Sequence, residues 1–142
     1  MSMTPTGISG IAVDVPPFRV DLHEWSGWAG QNPDKIRDVV GTGFRLPGPQ
    51  QSVYTMAANA VLRLIEKYSI DPQDVRYLAL GTESSTDNSA GAVITRGMID
   101  DALAHLGKAP LSRNCEVPEF KHACLGGVYA LKGALRYLQT DG

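Results

Sequence analysis

Cysteine is scarce in this sequence: Cys115 and Cys124 are the two among 142 residues, too few for a disulfide framework. Histidine is nearly as scarce. His23, His105 and His122 are scattered, and only His122 lies near a cysteine, so the three or four closely spaced ligands of a metal site are missing. No block of lysine and arginine appears and the formal net charge is −2, which argues against a nucleic-acid partner. No apolar run approaches the roughly 20 residues of a membrane helix. Met1–Ser9 lacks the charged start and apolar run of a signal peptide, and residues 1–6 read as a flexible lead-in. Free thiols without a disulfide pattern point to a reducing, cytoplasmic setting.

What is there suits one α/β domain, with 43% hydrophobic and 20% charged residues. Gly7–Val15 is short, apolar and β-branched, ends at Pro16-Pro17, and reads as a first strand. Asp21 is placed to cap a short helix to Trp28, and Asn32-Pro33 to start another that ends at Val40 before Gly41. Residues 44–50 read as loop. From Ser52 to Tyr68, apolar residues recur at i, i+3, i+4 and i+7 through Val53, Met56, Ala57, Ala60, Val61, Leu64, Ile65 and Tyr68, predicting an amphipathic helix. Asp71-Pro72 opens a turn, 76–81 reads as a buried strand, and 92–106 as a helix stopped by Gly107. The stretch 114–120 reads as a strand with an irregularity at Pro118, and 124–139 as a helix with Val128, Leu131, Leu135 and Leu138 on one face. Alternating strands and helices predict an α/β layered fold.

Two strand-to-helix junctions carry the chemistry. One is Gly81-Thr82-Glu83-Ser84-Ser85, where a strand delivers an acidic residue into a polar loop. The other is His122-Ala123-Cys124-Leu125-Gly126-Gly127, where a cysteine opens a helix. Ligands bind at the carboxyl ends of strands in open α/β sheets, so both side chains are expected at one crevice. A helix N-terminus favours a thiolate, and Gly126 and Gly127 would let an acyl group or neighbouring backbone come close. Each residue also has a plainer reading. Cys124 fits a small buried hydrophobe, Glu83 a solvated loop glutamate, and His122 a backbone hydrogen bond in place of thiolate tuning. Cys115 reads as a core thiol, Trp25, Trp28 and Tyr54 as packing aromatics, and Asp87 and Asn88 as turn residues.

Taken together, the two junctions resemble the GTES-x-D-x-S and NACYGG stretches of the 3-hydroxy-3-methylglutaryl-CoA synthase family, in the same order and about as far apart. The first matches Gly81 to Ser89 and the second His122 to Gly127. Gly7-Ile8 followed by Pro16 to Asp21 is similar to the family's start, so the resemblance covers nearly the whole chain. It implies the N-terminal half of a thiolase-superfamily fold with a mixed sheet, and Cys124 accepting an acetyl group from acetyl-CoA. Glu83 is then the general acid/base for addition to a β-ketoacyl thioester such as acetoacetyl-CoA. CoA thioesters are implied as substrates, with no metal or organic cofactor. Asn32, Pro33 and Lys35 fall where the family lines its CoA entrance, and Gly126 and Gly127 join them as candidate substrate-binding residues.

His122 stands in place of the family's asparagine and Leu125 in place of its aromatic residue. The family's catalytic histidine lies in its second half, and none of the three histidines matches that motif. The resemblance therefore implies a second polypeptide that completes the fold and supplies the histidine, in a heterotetramer by analogy with the superfamily's dimers. Carrier-protein thioesters, as used by β-branching or ketoacyl-synthase-III-like enzymes, are an alternative substrate class. A non-catalytic scaffold half is the alternative from a different functional class.

Overall fold

A computed structural model describes residues 5–83, 85, 88 and 90–140. The chain divides into two compact units: residues 14–52, and residues 1–13 together with 53–142.

In the smaller unit, β1 (Phe18–Asp21) leads into α1 (Leu22–Ala29), α2 (Pro33–Val40) and β2 (Gly43–Leu46). Both expected caps form. Asp21 Oδ1 accepts from the amides of His23 (2.8 Å) and Glu24 (3.2 Å), and Asn32 Oδ1 accepts from Asp34 N at 2.9 Å. These bonds satisfy amides that have no partner inside the helix. Residues 44–46 are not loop as expected. They pair antiparallel with β1, Phe44 opposite Val20 and Leu46 opposite Phe18. The Phe44 ring meets Trp25 edge-on at 5.5 Å, and this tertiary contact together with the non-local ladder makes the strand.

The larger unit holds α3 (Val53–Lys67), a 3-10 turn at Pro72–Asp74, β3 (Leu80–Thr82), α4 (Gly91–His105), β4 (Glu119–Lys121), a 3-10 turn at Ala123–Leu125, and α5 (Gly126–Thr140). β3 and β4 are parallel, with Leu80 opposite Glu119 and Thr82 opposite Lys121, and α4 provides the crossover that parallel pairing demands. The predicted strands at 76–81 and 114–120 survive upstream as one bridge, Tyr77 to Glu116. Pro118 sits at the interruption, its carbonyl still accepting from Leu80 N at 3.0 Å. Parallel and antiparallel pairing thus occur in two separate two-stranded sheets.

Gly7–Val15, expected as a strand, forms no ladder among the described residues. Two side chains tether its backbone instead, one from α3 and one just past it: Arg63 donates to the Val13 carbonyl at 2.6 Å, and Tyr68 Oη accepts from Ile11 N at 3.4 Å. The stripe of α3 is also rotated from the expected one. Ala58, Val61, Leu62 and Ile65 meet α4, and Val53 and Tyr68 are exposed.

The core lies between α3 and α4, where Ala58, Ile65, Ile99, Leu103 and Leu111 are buried together. Arg96 and Asp100 of α4 close it at one end. Arg96 donates to the Ser112 carbonyl at 2.9 Å and Asp100 accepts from Leu111 N at 2.8 Å, fixing the segment that carries Leu111. Leu103 is fully buried. Leu103→Ala is therefore expected to destabilise the chain by about 2–5 kcal/mol, read as a lower urea midpoint at unchanged slope.

Candidate active site

The site is built by backbone contact. A Cβ on Gly81 would stand 2.5 Å from the Gly126 carbonyl, and a Cβ on Gly126 would stand 2.5 Å from Thr82 O and 2.8 Å from Phe120 O. The end of β3, the end of β4 and the first residue of α5 therefore meet with no side chain between them. His122 N donates to Thr82 O at 3.1 Å and extends the parallel ladder past its last pair. Glu83 follows Thr82 directly, and Cys124 lies two residues past His122. The two expected junctions are thus side by side at the carboxyl ends of adjacent strands.

Cys124 is exposed, in the 3-10 turn that precedes α5 and not in the helix itself, which begins two residues later than expected. Ala123 before it takes φ +36°, a left-handed conformation rare for alanine. Such a conformation costs on the order of 1–3 kcal/mol and persists only where surrounding contacts enforce it. It turns the chain sharply between β4 and α5. The His122 ring packs edge-on against Tyr129 at 5.0 Å while its main-chain amide extends the ladder.

The two glycines after Cys124 differ. Gly126 is buried against the strands, whereas nothing lies within 4 Å of a Cβ on Gly127. Glu83 is exposed and lines a cleft of about 340 Å³ with Val53, Gly81, Thr82 and Ser85. Cys124 is not among the described lining residues. Ser84, Thr86, Asp87 and Ser89 of the first motif, with the turn reading of Asp87, lie outside the described residues. Asn32 and Pro33 are the cap and first residue of α2 in the smaller unit, where Pro33 lines a cleft of about 370 Å³ with Asp21, His23, Asp34 and Arg37.

Sequence reading missed Glu119. It sits in β4 opposite Leu80, and its carboxylate reaches two elements. Oε1 accepts from Ser85 Oγ at 3.2 Å and from Thr82 Oγ1 at 3.5 Å, the long end of the hydrogen-bond range. Oε2 accepts from Ala92 N at 3.2 Å. The N-cap position of α4 is Ala90, which makes no side-chain cap bond, so a carboxylate from a neighbouring strand does that work. A side-chain cap contributes about 1 kcal/mol, and a negative charge at a helix N-terminus adds to it. Gly91 leaves the room, since a Cβ there would be 3.2 Å from Oε1 and 2.7 Å from the Tyr54 ring.

Cys115 is buried, and burial pushes its thiol above the ordinary cysteine value. Among the described residues no group of three or more histidine, cysteine or acidic side chains could hold a metal ion, and no helix is long and apolar enough to cross a membrane.

No protein-family model matches the chain. Hydroxymethylglutaryl-CoA synthase A of Dictyostelium discoideum is 27% identical over 136 residues, covering 95% of this chain and 27% of that protein. The hydroxymethylglutaryl-CoA synthase of Methanosphaera stadtmanae is 26% identical over 136 residues, covering 95% of this chain and 37% of its own length. The solved structure of MvaS in complex with 3-hydroxy-3-methylglutaryl coenzyme A superposes with a TM-score of 0.76 at 28% identity, over 93% of this chain and 30% of that one. The chain is a relative of the hydroxymethylglutaryl-CoA synthases. Its fold is a part of their thiolase-like fold, and it spans only 27–37% of the length of these two synthases.

Proposed function

We propose that this chain is the acyl-condensing portion of a split synthase of the hydroxymethylglutaryl-CoA type. The observation that carries the reading is the juxtaposition of the Glu83 and Cys124 junctions through the Gly81–Gly126 backbone contact, in a chain similar to these synthases over nearly its whole length. In this reading the Cys124 thiolate attacks the carbonyl of acetyl-CoA. The bond to the CoA sulfur breaks, CoA leaves as its thiol, and the acetyl group stays on Cys124 as a thioester. Glu83 takes a proton from the acetyl methyl, and the resulting carbanion equivalent adds to the ketone carbon of a β-ketoacyl thioester such as acetoacetyl-CoA. The ketone oxygen takes up a proton as the tertiary hydroxyl while Glu83 returns to the carboxylate. Hydrolysis then releases the product from Cys124. Gly127, with open space where a side chain would be, suits an approaching acyl chain. Asn32 and Pro33 are assigned to the CoA entrance.

A second polypeptide completes the site with a histidine that polarises the second thioester. The partner reading is supported by α5. It packs on the strands through Gly126 and Gly133 but leaves Val128, Leu131 and Leu138 exposed, with Leu125 just before it, an apolar face that soluble proteins cover. Two copies of each polypeptide form the proposed heterotetramer. No metal or organic cofactor takes part, and the free thiol of Cys124 suits the reducing cytoplasm.

The test is intact-mass measurement after incubation with acetyl-CoA, followed by transfer of the adduct into D2O. A gain of one acetyl group, removable by hydroxylamine, is expected, with slow deuterium uptake into its methyl. Glu83→Gln is expected to lower that uptake relative to acetylation by about 10²–10⁴-fold. Absence of any adduct on a chain shown to be folded, both alone and with its genomic neighbours' products, would overturn the catalytic reading.

A further inference from the structure

Within that reading, we infer that Glu119 is the positioning residue of the site: its carboxylate fixes the β3–α4 loop so that Glu83 meets the acyl group on Cys124 in one place. Glu83 is exposed on a loop whose start is anchored by Thr82, the last residue of β3, and whose end is the first turn of α4. A glutamate on such a loop samples many positions unless both ends are tied to the element that carries the nucleophile. Glu119 does this with two oxygens. Oε1 holds Thr82 and Ser85, which flank Glu83 on either side, and Oε2 holds Ala92 N at the head of α4. Thr82 Oγ1 and Ser85 Oγ are themselves 3.4 Å apart, so the three groups form one bonded cluster spanning the backbone on both sides of Glu83. The chain runs from Glu119 through the last residues of β4 and the turn at Ala123 to Cys124, five residues on. The same short segment therefore supports the nucleophile directly and the acid/base through the loop.

Two features of the sequence make sense only together. Ala90 makes no side-chain cap bond, and Gly91 clears the space a side chain would fill, which lets the carboxylate of a neighbouring strand take the cap position. Ser85 lines the same cleft as Glu83, so its hydroxyl, held by Glu119, also shapes the space beside the Glu83 carboxylate. Glu119 needs no contact with substrate. It acts through Glu83, and a displacement of about 1 Å in a catalytic group lowers a rate by about 10²-fold.

The test compares Glu119→Ala, Glu119→Gln and the double variant Glu83→Gln/Glu119→Ala in the full chain. The readout is the rate of deuterium uptake into the Cys124-bound acetyl methyl divided by the rate of acetylation. Glu119→Ala is expected to lower this ratio by about 10–100-fold. Glu119→Gln, which keeps an acceptor oxygen of the same reach, restores most of it. The double variant is no worse than Glu83→Gln alone, because Glu119 has nothing left to position. A ratio unchanged in Glu119→Ala, or a double variant that multiplies the two losses, would overturn the inference. Amide spectra decide it even if the wild-type chain takes no acetyl group, the result that sinks the proposed reaction. Loss of Glu119 must then shift the amides of Glu83 and Ala92 while those of the α3–α4 core stay in place, and unmoved Glu83 and Ala92 signals would refute it.

Discussion

Cys124→Ala is expected to abolish acetyl uptake from acetyl-CoA, whereas Cys115→Ser leaves it intact. The contrast follows from where the two thiols sit. Cys124 is exposed beside the Glu83 junction, and Cys115 is buried with its thiol bonded to the Glu116 carbonyl at 3.4 Å. Burial raises the Cys115 value above its ordinary 9.0, so near neutral pH it stays a thiol, and the thiolate is the nucleophile. The sign is fixed: a raised value lowers the thiolate fraction at every pH below it, and Cys115 becomes reactive only as pH climbs past that value. A maleimide or aryl disulfide at pH 7 should therefore titrate one fast thiol in the wild type and none in Cys124→Ala. An exposed position away from caps and core leaves stability within about 0.5 kcal/mol, so loss of the adduct would not reflect unfolding. Retention of a hydroxylamine-sensitive acetyl group in Cys124→Ala would move the nucleophile elsewhere.

What could be read from sequence follows the range of the interactions involved. Helix starts at Asp21, Asn32 and Asp71 were legible because a cap bonds amides two or three residues on. Strands were legible only in part, because pairing is decided at a distance: the readings at 76–81 and 114–120 led to the parallel pair of β3 and β4, and others did not hold. Gly43–Leu46 looked like loop and is a strand through Phe18–Asp21, while Gly7–Val15 had the composition of a strand and forms no ladder among the described residues. The Glu83 and Cys124 junctions were legible as breaks between periodic segments, and the ladder set their adjacency. Glu119 was hidden because its partners, Ser85 and Ala92, are 34 and 27 residues away. Glycine gave a mixed signal. The pair at 126–127 promised either packing or substrate approach, and the structure packs Gly126 against the strands while leaving open space at Gly127.

That division yields opposite signs at adjacent residues. Gly126→Ala is expected to destabilise the chain by about 3 kcal/mol or more, and Gly127→Ala to leave it unchanged or stabilise it by up to about 1 kcal/mol. Alanine is the better helix former at both positions, by about 1 kcal/mol. At Gly127 nothing opposes that gain, since the space around its Cβ is open. At Gly126 the added methyl would lie 2.5 Å from Thr82 O, 2.8 Å from Phe120 O and 2.9 Å from Thr82 N. All three are backbone atoms, so no rotamer change relieves the overlap and α5 has to move away from both strands. Retreat by about 1 Å would open the apolar contacts of Ala130 and Gly133 and pull on the His122–Thr82 bond, each lost hydrogen bond costing about 1 kcal/mol more. Urea midpoints of the two variants measure this directly. If Gly126→Ala were as stable as Gly127→Ala, α5 would not rest on the strand ends, and the support that brings Cys124 beside Glu83 would have to be sought in other contacts.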